Sequence, residues 1–259
     1  MTRASYQIKY SYMSVLLVLL YHRVNPREKN VLNVTPETFE KQMKFLREAG
    51  YKTINTHEML EIFHSKRAVP KSLMITFDDG WLDNWIFAFP ILKKYQMKAV
   101  IFIPTGYIKD FPRRPTSEEG NIAPLPPHKE CVKKVYSGRS EEVMISWQEI
   151  KEMEDSGLID IQSHTHLHPN FEEIAQENIE DRLREELSAS KREIEKRLNK
   201  KCIALAWPNG YYREGFLKIA TEIGYQLLFT TEAGVNSFTD DPLRLKRVMI
   251  GDDSPFSFK

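Results

Sequence analysis

Short apolar runs alternate with amphipathic segments along most of this chain, and that rhythm restricts the fold more than any other feature. Val15–Tyr21, Leu73–Phe77, Ala99–Ile103, Leu158–Gln162, Ile203–Ala206 and Gln226–Phe229 are rich in apolar and β-branched residues. Such runs suit strands covered on both faces. A further short strand is expected at Tyr51–Asn55, and a last one at Leu243–Val248. Between them the apolar residues fall at helical spacing. Thr35-Pro36 reads as an N-cap with Pro at the first helical position, ahead of Phe39, Met43, Leu46 and Ala49. Thr56 is expected to cap a helix carrying Met59, Leu60, Ile62 and Phe63. A helix over Asn84–Tyr95 is expected to kink or break early at Pro90. Ser146 caps a helix with Trp147, Ile150 and Met153. Ile179–Leu198 forms a long amphipathic helix whose charges are a solvated face, and Glu214–Ile223 forms another. This order predicts an α/β fold with a mainly parallel sheet. A distorted (β/α) barrel of about seven strands and an open doubly wound sheet both satisfy it.

Two segments fall outside the rhythm. Residues 1–14 lack periodicity and read as an N-terminal extension, with Met13 as an alternative start. Residues 107–144 hold Pro112, Pro115, Pro124, Pro126 and Pro127 among mixed charges, and read as a Pro-rich insertion. Loops that long are usually functional or disordered. The remainder, 15–259, is expected to be one domain, which suits a chain of 259 residues.

Composition removes several classes of function. With 37 Lys+Arg against 36 Asp+Glu the net charge is +1, so a bulk nucleic-acid or membrane-surface binder is not expected. Cys131 and Cys202 are the two cysteines, and they form neither a disulfide framework nor a CxxC metal site. The apolar run Val15–Leu20 is too short to span a bilayer. It leads into His22 and Arg23 rather than a cleavage site, although Arg3 and Lys9 imitate a basic leader. A cytoplasmic location is therefore expected, with a weak anchor as the minor alternative.

The chemistry concentrates where strands end. Val15–Tyr21 is followed by His22, and Leu73–Phe77 by Asp78-Asp79-Gly80. Leu158–Gln162 leads to His164-Thr165-His166-Leu167-His168-Pro169, and Ile203–Ala206 to Trp207-Pro208-Asn209-Gly210. In a barrel or doubly wound sheet such ends converge on one face, where ligands bind. Imidazole nitrogens and a carboxylate oxygen suit a divalent transition metal. His164 and His168 could reach one ion, and so could His164, His166 and His168 together. Of the two aspartates, one could ligate while the other stays near an attacking water. Asp-Asp-Gly could also be a simple turn, and His22 a hydrogen-bonded turn histidine. Trp207-Pro208 could be packing, with the following turn aiming a backbone N–H into the site.

These residues resemble a known family. Thr76-Phe77-Asp78-Asp79-Gly80 is similar to the TFDDG motif of NodB-type polysaccharide deacetylases, carbohydrate esterase family 4. His164 to Pro169 matches that family's H-[ST]-x-x-H-P motif. Leu20-Tyr21-His22-Arg23-Val24 resembles the opening YHxV of the branch that includes poly-N-acetylglucosamine deacetylases. The resemblance runs from about Val15 to Ile250, apart from the insertion after Gly106. It implies a distorted (β/α)7 barrel, and a metal-dependent hydrolase that removes N-acetyl groups from an amino-sugar glycan or glycan precursor. It implies Asp78 as general base and Asp79, His164 and His168 as ligands to one divalent ion, zinc first, with cobalt or nickel as alternatives. By the same resemblance His22 is the general acid. The turn Trp207-Pro208-Asn209 lies at the oxyanion and substrate side, with the backbone N–H of Asn209 toward the oxyanion. The family's third motif, R-x-P-[YW]-G, is incomplete: Ala206 stands where the arginine would, and Asn209 where the aromatic would. Arg247, in the last strand, is the candidate to orient Asp78 instead. Trp81, Trp207 and the insertion are candidate walls for sugar rings. Two other readings remain: an amidohydrolase acting on a small non-sugar substrate, and a glycan-binding protein with impaired chemistry.

Overall fold

The computed structural model describes residues 15–27, 30–67, 69–120, 122–174, 176–252 and 254. The extension read over 1–14 lies outside the described residues. In chain order the elements are β1 (Leu17–Tyr21), β2 (Arg23–Val24), β3 (Asn33–Val34), α1 (Pro36–Glu48), β4 (Lys52–Thr53), α2 (Thr56–Ser65) and β5 (Ser72–Phe77). There follow α3 (Phe89–Tyr95), β6 (Ala99–Ile103), α4 (His128–Tyr136), α5 (Trp147–Asp155) and β7 (Ile159–Ser163). The last are α6 (Ile179–Leu198), β8 (Ala204–Ala206), α7 (Glu214–Ile223), β9 (Leu227–Ala233) and β10 (Leu245–Met249).

Seven parallel strands close into a ring. The order β1-β10-β9-β8-β7-β6-β5 returns to its start because β5 pairs with β1 along its length, from Leu17↔Leu73 to Tyr21↔Phe77. That pairing excludes the open sheet. The ring is uneven: β6 and β7 share five pairs, whereas β7 meets β8 only at Ser163↔Leu205. The short β4 adds to β5, and β2 pairs with β3 outside the barrel.

Side-chain alternation along each strand sorts the core into two parts. Val18, Met74, Val100, Phe102, Ala204, Phe229 and Leu245 cluster with Met59, Ile62 and Phe63 of α2. Leu17, Leu19, Tyr21, Ile75, Phe77, Ile101 and Ile161 belong instead to the larger cluster with the surrounding helices. β1, β6 and β8 are therefore covered on both sides, which is why their sequences are nearly all apolar.

Local sequence accounts for most helix ends. Thr35 caps α1, its side chain accepting from the Thr38 N–H. Ser146 and Glu149 form a capping box on α5. The cap of α2 is Asn55 rather than Thr56, and Glu58 completes its box. Thr56 is the first helical residue, and its N–H and hydroxyl both go to Asp160, at 3.0 and 2.5 Å. The expected break near Pro90 takes the form of a π-turn, Asn84–Ala88, running into α3. Pro90 has no N–H to give the Ile86 carbonyl, which accepts from Ser117 of the insertion at 2.9 Å. The insertion also contains a helix, α4, that its prolines conceal: Pro127 sits in the N-cap position, and Cys131 and Val135 face inward. Among the described residues no helix is long and apolar enough to cross a membrane.

Candidate active site

The inward alternation carries functional side chains to the barrel mouth. Met74 and Thr76 of β5 lead to Asp78; Val18 and Leu20 of β1 lead to His22. Gln162 of β7 leads to His164, Phe229 of β9 to Thr231, and Leu245 of β10 to Arg247. All seven strands are parallel, so these positions arrive at one end. His22, Asp78, Asp79, His164, His168, Asn209 and Thr231 line a common cavity there.

Asp79, His164 and His168 come together. Their candidate ligand atoms all lie within 4.8 Å of one another. Oδ1 of Asp79 is 3.4 Å from His164 Nε2 and 3.5 Å from His168 Nε2. Two further contacts aim these atoms. The Asp79 Oδ2 accepts the indole N–H of Trp81 at 3.0 Å, leaving Oδ1 to face the imidazoles. His164 Nδ1 lies 2.8 Å from the Ala206 carbonyl. A carbonyl only accepts, so Nδ1 carries the hydrogen, which leaves Nε2 as the nitrogen that faces Asp79 and is free to ligate when the ring is neutral. Two imidazole nitrogens and one carboxylate oxygen in this arrangement fit a divalent transition metal. His166, considered as a third histidine ligand, turns away: its Nδ1 meets the Thr105 hydroxyl at 2.9 Å.

Backbone strain concentrates at the same place. Asp79 (φ 74), Thr165 (φ 66), His168 (φ 50) and Asn209 (φ 56) all adopt the left-handed region. Such conformations cost of order 1–3 kcal/mol each and persist where the surroundings dictate them. Glu186 of α6, fully buried, supplies part of that constraint. Its carboxylate accepts the N–H groups of His166 and Leu167 at 2.9 and 2.6 Å, which holds the turn between the two ligand histidines.

Asp78 is gripped by Arg247. The guanidinium donates to both carboxylate oxygens at 2.7 Å, and its Nε donates to the Thr230 carbonyl at 2.7 Å. Both side chains are buried. Burial works against the Asp78 charge, but the Arg247 guanidinium, aided by His164 and His22, holds the carboxyl below its ordinary range. Asp79 is likewise buried, yet the histidines around it, His164 and His168 foremost, hold it far below that range. Burial and the neighbouring His164 bring His168 down to about 4. Burial acts the same way on His164, but Asp78 and Asp79 outweigh it and raise that imidazole.

The other expected residues divide. His22 lines the cavity, and its Nδ1 has no hydrogen-bond partner among the described residues. Asn84 holds the His22 carbonyl at 3.0 Å. Asn209 lines the cavity, but Trp207 and Pro208 are buried beneath it. Trp207 stacks on Tyr212 and packs against Phe216, so the expected sugar wall is core there. Trp81 does line the cavity, with its ring edge-on to His128 of α4.

Sequence reasoning missed the residues that hold α4 over the site. Arg23 and Asp83 form a fully buried ion pair at 2.8 Å. Arg23 also donates to the Pro126 carbonyl at 3.0 Å, and Asn25 to that of Leu125 at 3.1 Å, just ahead of α4. The guanidinium of Arg23 lies over the Trp81 ring, 5.6 Å from its centre. One buried pair thus links the His22 segment, the indole that holds Asp79, and the insertion. The signal was Arg23 itself, a charge in an apolar stretch that needs a buried partner.

A family model described as polysaccharide deacetylase matches residues 65–228 of this chain. The chain belongs to the polysaccharide deacetylase family. Among its relatives in the family, YxkH of Bacillus subtilis (strain 168) is 30% identical over 236 residues, which cover 91% of this chain and 71% of that protein. A poly-beta-1,6-N-acetyl-D-glucosamine N-deacetylase of Staphylococcus aureus is 28% identical over 271 residues, covering 96% and 82%. Of solved structures, the Streptococcus pyogenes deacetylase PplD in complex with acetate superposes with a TM-score of 0.73 at 28% identity, covering 93% and 94%. IcaB from Ammonifex degensii gives 0.73 at 26% identity, covering 92% of each chain. The deacetylases share the closed, helix-flanked barrel.

Proposed function

We propose that this polysaccharide deacetylase is a metal-dependent hydrolase that removes N-acetyl groups from an amino-sugar glycan and releases acetate. One observation carries the reading: two imidazole Nε2 atoms face a single carboxylate oxygen of Asp79 at 3.4 and 3.5 Å, beside an aspartate paired with a buried arginine. The name of the Staphylococcus aureus relative supports a β-1,6-linked N-acetylglucosamine polymer as the substrate to try first. The catalytic unit in this reading is 15–259 with its insertion.

Asp79, His164 and His168 would hold the divalent ion, zinc first, with cobalt or nickel as alternatives. Bound there, such an ion supplies Lewis acidity toward an amide carbonyl and lowers the pKa of water. Asp78 has the role of base. Arg247 keeps it ionised, so it can take a proton from the water that attacks the acetyl carbon. The backbone N–H of Asn209 is assigned to the oxyanion that develops. His22 gives a proton to the departing nitrogen as the C–N bond breaks. Acetate and the free amine leave, and exchange with solvent resets Asp78 and His22. Arg247 on Asp78 weighs against impaired chemistry, because it stands in for the arginine absent from position 206, one of the two departures in the third motif.

The test is acetate release from β-1,6- and β-1,4-linked N-acetylglucosamine oligomers by protein loaded with zinc, cobalt or nickel. The expected result is release that stops with chelator and with Asp78→Asn. Metal-loaded protein that releases no acetate from any of them, or release indifferent to chelator, would overturn the reading. Turnover of small cyclic amides instead would favour the amidohydrolase alternative.

A further inference from the structure

β7 and β8 meet at a single register pair, Ser163↔Leu205, yet both strands are buried along their length. The backbone groups of β8 that face β7 must therefore find other partners. Side chains supply them. Gln162, fully buried in β7, accepts the N–H groups of Ile203 and Ala204 through its Oε1, each at 3.0 Å. Two residues on, His164 Nδ1 donates to the Ala206 carbonyl at 2.8 Å. Alternation puts positions 162 and 164 on the same face of β7, and positions 204 and 206 on the same edge of β8. The seam is thus closed from below by an amide and from above by the imidazole of a ligand histidine.

The Gln162 amide is oriented by the groups beneath it. Its Nε2 donates to Asp160 Oδ1 at 2.8 Å and to the Thr56 hydroxyl at 3.2 Å. Asp160 is itself held by Thr56 and Lys200. Both amide hydrogens and both lone pairs of the amide oxygen are then used. Turned over, the amide would set its N–H groups against those of β8 and its oxygen against a carboxylate. Length matters as well. Asparagine would fall one methylene short of β8, and leucine would leave the Ile203 and Ala204 N–H groups buried without an acceptor.

We propose that Gln162 is a positioning residue for the metal ligand His164. It fixes β8 against β7, and β8 fixes the Ala206 carbonyl. That carbonyl sets the tautomer and plane of the imidazole whose Nε2 faces Asp79 at 3.4 Å. The inference rests on the metal-dependent reading and extends it to a residue two positions deeper in the barrel. Losing the outer partner of a ligand histidine costs about ten- to a hundredfold in metal affinity.

The experiment measures zinc affinity by competition with a chromogenic chelator, and, in the metal-free full chain, amide exchange at 203–206 relative to 99–103 in β6. Gln162→Leu is expected to weaken zinc about tenfold and to speed exchange at 203–206. Gln162→Glu sets a second acid beside Asp160 and so costs stability, but it keeps an acceptor toward β8. Its zinc affinity and relative exchange are expected to stay near wild type. A purely structural role would make zinc affinity follow stability in both variants. Unchanged zinc affinity in Gln162→Leu, or equal weakening in the two variants, overturns the proposal. Should Gln162→Leu not fold, Gln162→Asn takes its place and is judged by the same results. If the wild type takes up no zinc, the metal-dependent reading fails. Amide exchange then decides the seam separately: faster relative exchange in Gln162→Leu alone supports it, and equal exchange in both variants overturns it.

Discussion

Replacing Arg247 by methionine removes the partner of a buried carboxylate while keeping most of the side-chain volume. The side chains of Arg247 and Asp78 are 0% and 3% exposed, joined by two 2.7 Å hydrogen bonds. Breaking a buried pair from one side costs about 3–5 kcal/mol, since the remaining charge keeps its desolvation penalty. For a domain this size, 1 kcal/mol shifts Tm by about 2–4 °C, so a fall of about 6–20 °C is expected. The pH dependence gives a second check. In the wild type, Asp78 has its carboxyl held below the ordinary range. Its contribution to stability is therefore present above about pH 4 and lost as pH falls through the folded value. Without Arg247, burial dominates and raises the carboxyl, so the variant is penalised most at neutral pH. The gap between wild type and Arg247→Met should narrow as the pH is lowered from 7 toward 4. Adding Asp78→Asn should restore part of the loss. Urea unfolding of the four proteins of the double-mutant cycle at several pH values measures all of this. A loss under about 1 kcal/mol that is flat in pH would refute the assignment of a buried ionised pair.

Three further outcomes follow from other parts of the molecule. Arg23→Met, which strips a fully buried pair and its bond to Pro126, should speed amide exchange in α4 and raise KM more than it lowers kcat; unchanged exchange in α4 would contradict the anchoring role. Lys200 bridges Asp160, at 2.5 Å, and Glu154. Burial opposes the Asp160 charge, but Lys200 holds that carboxyl low, whereas burial leaves Glu154 raised. In Lys200→Met both acids titrate above their unfolded values, so a loss of about 2–4 kcal/mol at pH 7 should shrink toward pH 4; a loss that grows on acidification would reverse the sign. Gly210 has φ +71, and a Cβ there would come 2.0 Å from the Thr231 hydroxyl. Gly210→Ala should cost about 1–3 kcal/mol and lower kcat/KM by displacing Asn209 and Thr231; a variant of wild-type stability and activity would contradict it.

The barrel was legible because strands buried on both faces are written as nearly pure apolar runs, and because helix caps such as Thr35-Pro36 and Ser146 act locally. Closure was less visible: no local signal tells β5 to pair with β1, and an open sheet met the same pattern. The aspartates and histidines stood out because they follow apolar strands at once. Side-chain alternation then carries Asp78 and His164 toward the interior. Trp207 stayed open between wall and core because an aromatic beside a turn reads the same whether it faces a ligand or the core. Glu186, Asp83 and Asn25 were invisible because their partners are distant in sequence, and a buried acid on a charged helix looks like another solvated residue. The nine residues of α4 were masked by the prolines before them, although a proline is well suited to open a helix.

Metal stoichiometry in three variants tests the central claim most directly. Wild type, Asp78→Asn and His168→Ala are each equilibrated with zinc, freed of excess, and assayed for bound metal and for acetate release. The account predicts one zinc per chain in wild type and in Asp78→Asn, with turnover abolished in the latter, and loss of both metal and activity in His168→Ala. Zinc retained at one equivalent with unchanged affinity in His168→Ala would contradict it.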